Sequence, residues 1–126
     1  MKKARLLLLD VKDGTGFKEV ECGKLADYYK NLKCSTFDIT CRKINGKIFD
    51  IFCDDEGLFE EHPIPSAIYP SLEPALVGNL IFAHHDSEGN TTSISDEDIA
   101  LIKDHSVYAV DADNAKTWEM VCIDFD

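Results

Sequence analysis

The dipeptide Asn45-Gly46 is the feature that most constrains the fold of this chain. It separates two runs rich in β-branched and aromatic residues, 37–44 and 47–53. A two-residue type I′ turn needs positive φ at both central positions, and Asn-Gly is a favoured pair for this conformation. The sequence therefore predicts an antiparallel hairpin whose register places Arg42 opposite Phe49.

Hydrophobic spacing predicts the other elements. The near-continuous apolar run at 4–11 predicts a buried first strand, and apolar residues three and four apart predict a helix at about 24–33. Ser95 followed by Asp98 forms a capping box that predicts a second helix at about 96–105. Further strands are predicted at 17–21, at 76–84 with a bulge at Gly78, at 107–111 and at 118–125. Four prolines between them predict a long irregular connector at 57–75.

The length and the order of these elements define the fold class. The chain has 126 residues, which is enough for one hydrophobic core and too few for two. Strands outnumber helices, and the two helices do not alternate regularly with strands as in a parallel fold. We therefore expect residues 1–126 to form a single α+β domain with a mostly antiparallel sheet.

Charge is unevenly distributed along the chain. Residues 1–53 carry eleven Lys or Arg and seven Asp or Glu, whereas residues 54–126 carry two Lys and seventeen acids. The formal net charge is −11, which repels nucleic acid and anionic membranes and attracts cationic surfaces. A protein with a basic surface is therefore the predicted partner, and direct binding to nucleic acid or to a membrane is not expected.

Targeting signals and cysteine usage indicate the compartment. The apolar run at 6–9 ends at Asp10 and is too short for a secretory signal, and no stretch reaches the length of a membrane span. The five cysteines are odd in number and form no Cys-x-x-Cys motif, which favours reduced, mostly buried thiols. These features predict a cytoplasmic protein.

Residue patterns typical of enzymes and metal sites are missing from the sequence. Because neighbouring side chains on a strand point to opposite faces, the adjacent His84 and His85 would not chelate a metal together. Cys41 and Cys53 fall within the predicted hairpin, where small thiols are commonly buried, and the register places Cys41 opposite Asp50. We therefore expect no catalytic residue, no metal site and no cofactor. A metal-dependent hydrolase that uses His84 or His85 is the least favoured alternative.

The acidic half of the chain offers a candidate interaction surface. Two triplets of consecutive acids occupy predicted surface positions, one in a turn after the hairpin and one at the start of the second helix. If the triplets share one face, they would imitate a phosphate backbone and dock on a basic groove. The predicted contact residues are Asp54, Asp55, Glu56, Asp96, Glu97 and Asp98. The alternative is that a solvated turn, a helix cap and a soluble surface account for these charges.

Several segments also carry a family resemblance. They are FDITCRKINGKIFDIFCDDEGL at 37–58, PIPSA at 63–67, and PALVGNL with SISDEDI at 74–80 and 93–99. Through them, residues 24–99 resemble a domain-of-unknown-function family of small proteins from phages, plasmids and conjugative elements of Gram-positive bacteria. The tail after residue 105 lies outside the resemblance. The resemblance implies an accessory gene on a mobile element, and such elements also carry acidic antirestriction and anti-CRISPR proteins.

These observations combine into two functional expectations. The first is a non-enzymatic acidic protein-binding module of a mobile genetic element that inhibits a host defence nuclease by imitating nucleic acid. The second is a structural or regulatory accessory protein of the element that forms a homodimer through an exposed sheet edge and has no inhibitory role.

Overall fold

A computed structural model describes residues 3–56, 63–113 and 115–124 of the chain. Its elements form one small α+β domain, as the sequence predicts. In chain order they are β1 (Ala4–Asp10), β2 (Gly16–Cys22), α1 (Leu25–Leu32), β3 (Phe37–Ile44), β4 (Lys47–Asp54), β5 (Pro65–Ile68), β6 (Pro74–Val77), β7 (Leu80–His85), β8 (Thr91–Thr92), α2 (Asp96–Asp104), β9 (Ser106–Asp111) and β10 (Lys116–Cys122). Both helices fall within one residue of their predicted bounds.

The larger sheet has six strands and is antiparallel throughout. Its order is β2-β1-β7-β4-β3, and the short β8 pairs with the end of β7. The hairpin of β3 and β4 is confirmed, with Arg42 opposite Phe49 and the turn residues Asn45 and Gly46 at φ values of 51° and 81°. The first strand is also confirmed as a buried inner strand, because β1 lies between β2 and β7.

The smaller sheet has four strands in the order β6-β5-β10-β9. The strand β10 pairs in parallel with β5 and antiparallel with β9, so the two strands predicted after α2 form a hairpin. The parallel pair brings Ala67 beside Val121, which joins the middle of the chain to its end. Together the two sheets are mostly antiparallel, as expected.

Apolar side chains cover both faces of the larger sheet. One face, which includes Phe49 and Phe82, packs against α2, against Val121 of β10 and against Ile123, which follows β10. The opposite face packs against α1, where the rings of Tyr28 and Phe52 stack with centroids 4.5 Å apart. The domain therefore has three layers: α1, the larger sheet, and the smaller sheet with α2.

The predicted single strand at 76–84 is wrong, because the chain changes sheets within it. The strand β6 ends at Val77, and β7 begins at Leu80 in the other sheet. Gly78 adopts a φ of 77°, which a glycine reaches without steric cost. The buried Asn79 accepts hydrogen bonds from the backbone N–H groups of Val11 and Lys12, at 2.9 and 3.0 Å. Gly78 thus marks a crossing between sheets rather than a bulge.

The predicted irregular connector at 57–75 is partly wrong. Within its described portion, Pro65–Ile68 forms β5 and Pro74 begins β6. Both prolines stand at the first residue of a strand, where the missing N–H costs little. Residues 57–62 of the connector lie outside the described residues.

None of the described helices has the length and the apolar composition needed to cross a lipid bilayer.

Candidate functional site

The first predicted acidic triplet lies at the end of β4. The side chain of Asp54 is largely buried, with Oδ2 3.7 Å from Nζ of Lys12. The hydroxyl of Thr36 donates a hydrogen bond to the carboxylate of Asp55, and Glu56 is exposed. Asp55 and Glu56 are therefore the members of this triplet that face solvent.

The second triplet opens α2, and its three members have different surroundings. Asp96 is exposed over 88% of its side chain, and its Oδ1 accepts a hydrogen bond of 2.7 Å from Arg5. Glu97 is also exposed. By contrast, the side chain of Asp98 is only 4% exposed, so it does not occupy the surface position that the sequence analysis expects for a contact residue. Sequence spacing identified Asp98 as part of the cap but could not reveal the sheet that covers it.

The cap of α2 explains the burial of Asp98. The backbone N–H of Asp98 donates to Oγ of Ser95, and the backbone N–H of Ser95 donates to Oδ2 of Asp98, both at 3.1 Å. Oδ2 also lies 2.9 Å from Nε2 of His84, and the ammonium of Lys47 bonds to Oδ1. Burial acts to raise the pKa of Asp98, but these hydrogen bonds outweigh it and lower the pKa to about 2. Asp98 is thus a charged anchor between α2 and the larger sheet.

The two triplets lie at opposite ends of the larger sheet. Asp54 follows Cys53, which pairs with Leu80 at the start of β7, whereas Asp98 contacts His84 near the end of β7. A strand rises about 3.3 Å per residue, so the length of β7 separates them by about 15 Å. The two triplets are therefore separated by about the length of one strand and are not adjacent.

The two histidines point to different faces of β7, as predicted. His84 contacts Asp98, and Nδ1 of His85 lies 2.7 Å from Oδ2 of Asp50. Among the described residues, no group of three or more His, Cys, Asp or Glu side chains is arranged to hold a metal ion.

Cys41 is exposed, which corrects the prediction of a buried thiol. Its Sγ donates to Oδ1 of Asp50 at 3.2 Å, and this hydrogen bond, together with burial, raises the pKa of the thiol. The carboxylate favours the protonated thiol over the nucleophilic thiolate. Cys53 is buried as predicted, and all five cysteines are free.

A groove of about 660 Å³ lies where β10 begins. Trp118 lines it together with Pro63 and Pro65, and the indole N–H of Trp118 donates to the carbonyl of Pro65 at 2.7 Å. Among the described residues, the charged side chains that line it are Lys12, Lys116, Asp13 and Asp111.

The strand β9 forms an exposed edge that the sequence analysis missed. Val107, Tyr108 and Val110 are exposed over 40%, 72% and 67% of their surfaces. Because side chains alternate along a strand, Tyr108 and Val110 lie on one face and Val107 lies on the other. Among the described residues, no strand pairs with the side of β9 that faces away from β10. The signal in the sequence was an apolar strand, SVYAVD, with neither Lys nor Pro.

The hydrogen-bond pattern identifies which backbone groups of β9 point to this edge. The N–H of Cys122 donates to the carbonyl of His105 at 2.7 Å, which fixes residues 105 and 122 as a hydrogen-bonded pair. Bonded and non-bonded pairs alternate in an antiparallel ladder. The N–H and C=O groups of Ser106, Tyr108 and Val110 consequently point away from β10.

Acidic residues surround the edge of β9. Asp104 precedes the strand, and Asp113 follows it in the next turn. Both residues are exposed. The hydroxyl of Tyr108 donates to Oε1 of Glu119 at 3.3 Å, across the pair with β10. The edge therefore combines open backbone groups and apolar side chains with an exposed acid near each end, and the exposed Lys103 lies beside Asp104.

Comparison with known proteins identifies a family. No curated protein and no solved structure matches the chain. One family model matches residues 4–106, which include the whole of the resembling stretch at 24–99 and end at the first residue of β9. The chain therefore belongs to the family described as Domain of unknown function (DUF3846).

Proposed function

We propose that the chain is a non-enzymatic protein-binding module of a phage or plasmid that acts in the bacterial cytoplasm on a cationic partner. A host defence nuclease, or another nucleic-acid-binding protein, is the leading partner class. The observation that carries the proposal is the edge of β9, where Val107, Tyr108 and Val110 are exposed beside backbone groups that pair with no described strand.

The edge supports binding because folded proteins usually protect such strands. Lysines, prolines, bulges or a covering loop commonly block the edges of natural sheets. The sequence of β9 contains neither Lys nor Pro, and large apolar side chains occupy both of its faces. An exposed apolar patch with a polar rim is typical of an interaction surface.

The charge of the chain supports a cationic partner. Residues 104–126 contain six acids and one lysine, and the whole chain carries −11. A field of this sign accelerates encounters with basic proteins and suppresses encounters with acidic ones. A second copy of the chain carries the same charge, which disfavours the homodimer alternative.

In this proposal the acidic triplets do not contact the partner directly. The exposed Asp55, Glu56, Asp96 and Glu97 contribute to long-range attraction from both ends of the larger sheet. Asp54 and Asp98 instead make ion pairs within the domain, with Lys12 and Lys47.

The contacts of the histidine and cysteine side chains support the proposal that the protein is not an enzyme. The carboxylate of Asp98 contacts His84, and the carboxylate of Asp50 contacts His85 and accepts a hydrogen bond from the thiol of Cys41. These contacts join neighbouring elements, and the thiol is held in its less reactive form.

A capture experiment with a matched variant tests the proposal. The wild-type chain and a Tyr108→Ser/Val110→Ser variant are used as baits in a nuclease-treated lysate of Gram-positive bacteria. Captured proteins are identified by mass spectrometry, and the leading one is purified for a binding titration. We expect a basic nucleic-acid-binding protein whose affinity falls at least about tenfold for the variant.

Two results would contradict this function. Equal affinity of the captured protein for both baits would exclude the β9 edge as its binding site. Recovery of the bait without any captured protein would contradict the proposal of a cationic partner. Sedimentation velocity tests the homodimer alternative, since a wild-type dimer that the variant abolishes would favour self-association.

A further inference from the structure

We infer that the partner of β9 is an extended segment that adds to the smaller sheet as a fifth strand and carries Lys or Arg at both ends. This inference rests on the proposed function and specifies its mode of contact. In this mode of binding the partner forms hydrogen bonds with the backbone of β9 as well as contacts with its side chains. Docking on an apolar patch would involve the side chains alone.

The backbone geometry carries the first step. The carbonyl of His105 accepts a hydrogen bond from the N–H of Cys122, so residues 107, 109 and 111 direct their N–H and C=O groups toward β10. Ser106, Tyr108 and Val110 direct theirs outward. An incoming strand would therefore find donors and acceptors at every second residue, which is the arrangement that strand addition uses.

The exposed side chains carry the second step. Tyr108 and Val110 project from one face of the edge strand, and Val107 projects from the other. A strand beside β9 would place its own side chains next to these on both faces. Apolar residues at alternate positions of the segment would cover Tyr108 and Val110, and the Tyr108 hydroxyl would keep its bond to Glu119.

Charge complementarity carries the third step. Exposed acids lie just before and just after β9, at Asp104 and Asp113. A segment about as long as β9 with basic residues at both ends would place opposite charges beside each of these acids. A second copy of β9 would instead bring its own acids to the same edge, so we assign the position to a basic segment.

A synthetic peptide provides a defined probe. The fluorescently labelled peptide Lys-Arg-Val-Thr-Val-Thr-Val-Lys-Arg is titrated into the intact chain, and anisotropy measures its binding. A matched peptide with Glu-Asp at the start and Asp-Glu at the end is the control for charge. We expect the basic peptide alone to bind, and added salt to weaken it.

Hydrogen exchange measured by NMR then reports the mode of binding. The outward amides of Ser106, Tyr108 and Val110 should exchange more slowly in the presence of the basic peptide. The inward amides of Val107 and Ala109 already bond to β10 and should change less. Binding without slower exchange of the outward amides would overturn strand addition.

A proline substitution supplies the second test. Val110→Pro removes an outward N–H and leaves the ladder with β10 intact, whereas Val110→Ala shortens the side chain and keeps the N–H. If a strand adds to this edge, Val110→Pro should weaken peptide binding about tenfold more than Val110→Ala does. Equal weakening by the two variants would overturn the inference. Circular dichroism and thermal unfolding confirm that both variants are folded before they are compared.

These results are separable from those that test the proposed function. Failure of the wild-type chain to bind the basic peptide, or equal binding of the acidic peptide, would overturn strand addition by a basic segment. The proposed function would still be decided by the capture experiment and its Tyr108→Ser/Val110→Ser control.

Discussion

The imidazole Nε2 of His84 lies 2.9 Å from Oδ2 of Asp98, and this contact fastens the first turn of α2 to the end of β7. The same carboxylate accepts a hydrogen bond from the backbone N–H of Ser95 and forms an ion pair with Lys47. One buried acid thus joins a helix cap, an inner strand and a hairpin.

The stability of the domain should depend on the ionisation of Asp98. Its folded pKa of about 2 lies below the ordinary value of 3.8, so its stabilising contribution is present above the unfolded pKa and is lost as the pH falls toward 2. At neutral pH, Asp98→Asn should reduce the free energy of unfolding by about 2 kcal/mol. Urea unfolding of both proteins from pH 7 to pH 2 measures this difference, which should shrink below about pH 4. A difference that does not change with pH would contradict the assignment.

Asn79→Ala should be strongly destabilising. The side chain is fully buried, accepts from the backbone of Val11 and Lys12, and donates to the carbonyl of Asn31 at 3.0 Å. Its removal leaves buried backbone groups without partners, at a cost of about 2–4 kcal/mol. The matched control is Asn90→Ala in an exposed turn, which should cost less than about 1 kcal/mol. Urea denaturation provides both values, and similar losses would contradict the role of Asn79.

Asp50→Asn should increase the reactivity of Cys41. The hydrogen bond from the thiol to Asp50 raises the pKa of Cys41, so a neutral amide in its place should lower that pKa and increase the thiolate fraction. Alkylation by iodoacetamide at pH 8, mapped by mass spectrometry, should then be faster at Cys41. Cys53 serves as the internal control, because burial raises its pKa to about 11. An unchanged rate at Cys41 would show that Asp50 does not set its reactivity.

Loss of the β9 side chains should affect binding without affecting folding. Tyr108 and Val110 are largely exposed, so Tyr108→Ser/Val110→Ser should change the free energy of unfolding by less than about 1 kcal/mol. The core substitution Phe49→Ala is the contrast and should cost about 3–5 kcal/mol. Thermal and urea unfolding test both. A large loss in the β9 variant would mean that these side chains support the fold rather than contact a partner.

Local chemistry made several elements predictable from the sequence. The hairpin at Asn45-Gly46 follows from the φ values that the turn requires, and the start of α2 follows from the reciprocal bonds of Ser95 and Asp98. In both cases the interacting groups lie within a few residues of one another. The spacing of apolar residues was likewise sufficient for α1.

Features that depend on distant segments could not be predicted in the same way. The burial of Asp98 requires His84 and Lys47, which come from two strands of the larger sheet. The crossing at Gly78 depends on the position of β1, whose end is bonded to Asn79. The exposure of β9 depends on the strand order of the smaller sheet, and the hydrophobic pattern of SVYAVD alone does not distinguish an edge strand from an inner one.

The parallel pair of β5 and β10 has a consequence for the order in which the chain folds. Hairpins close short loops and form early, whereas the pairing of Ala67 with Val121 must wait for distant parts of the chain to meet. During synthesis, β10 emerges from the ribosome after the other described strands. We therefore expect the smaller sheet to be completed last, so that a nascent chain does not present the edge of β9 in its final form before translation has reached β10.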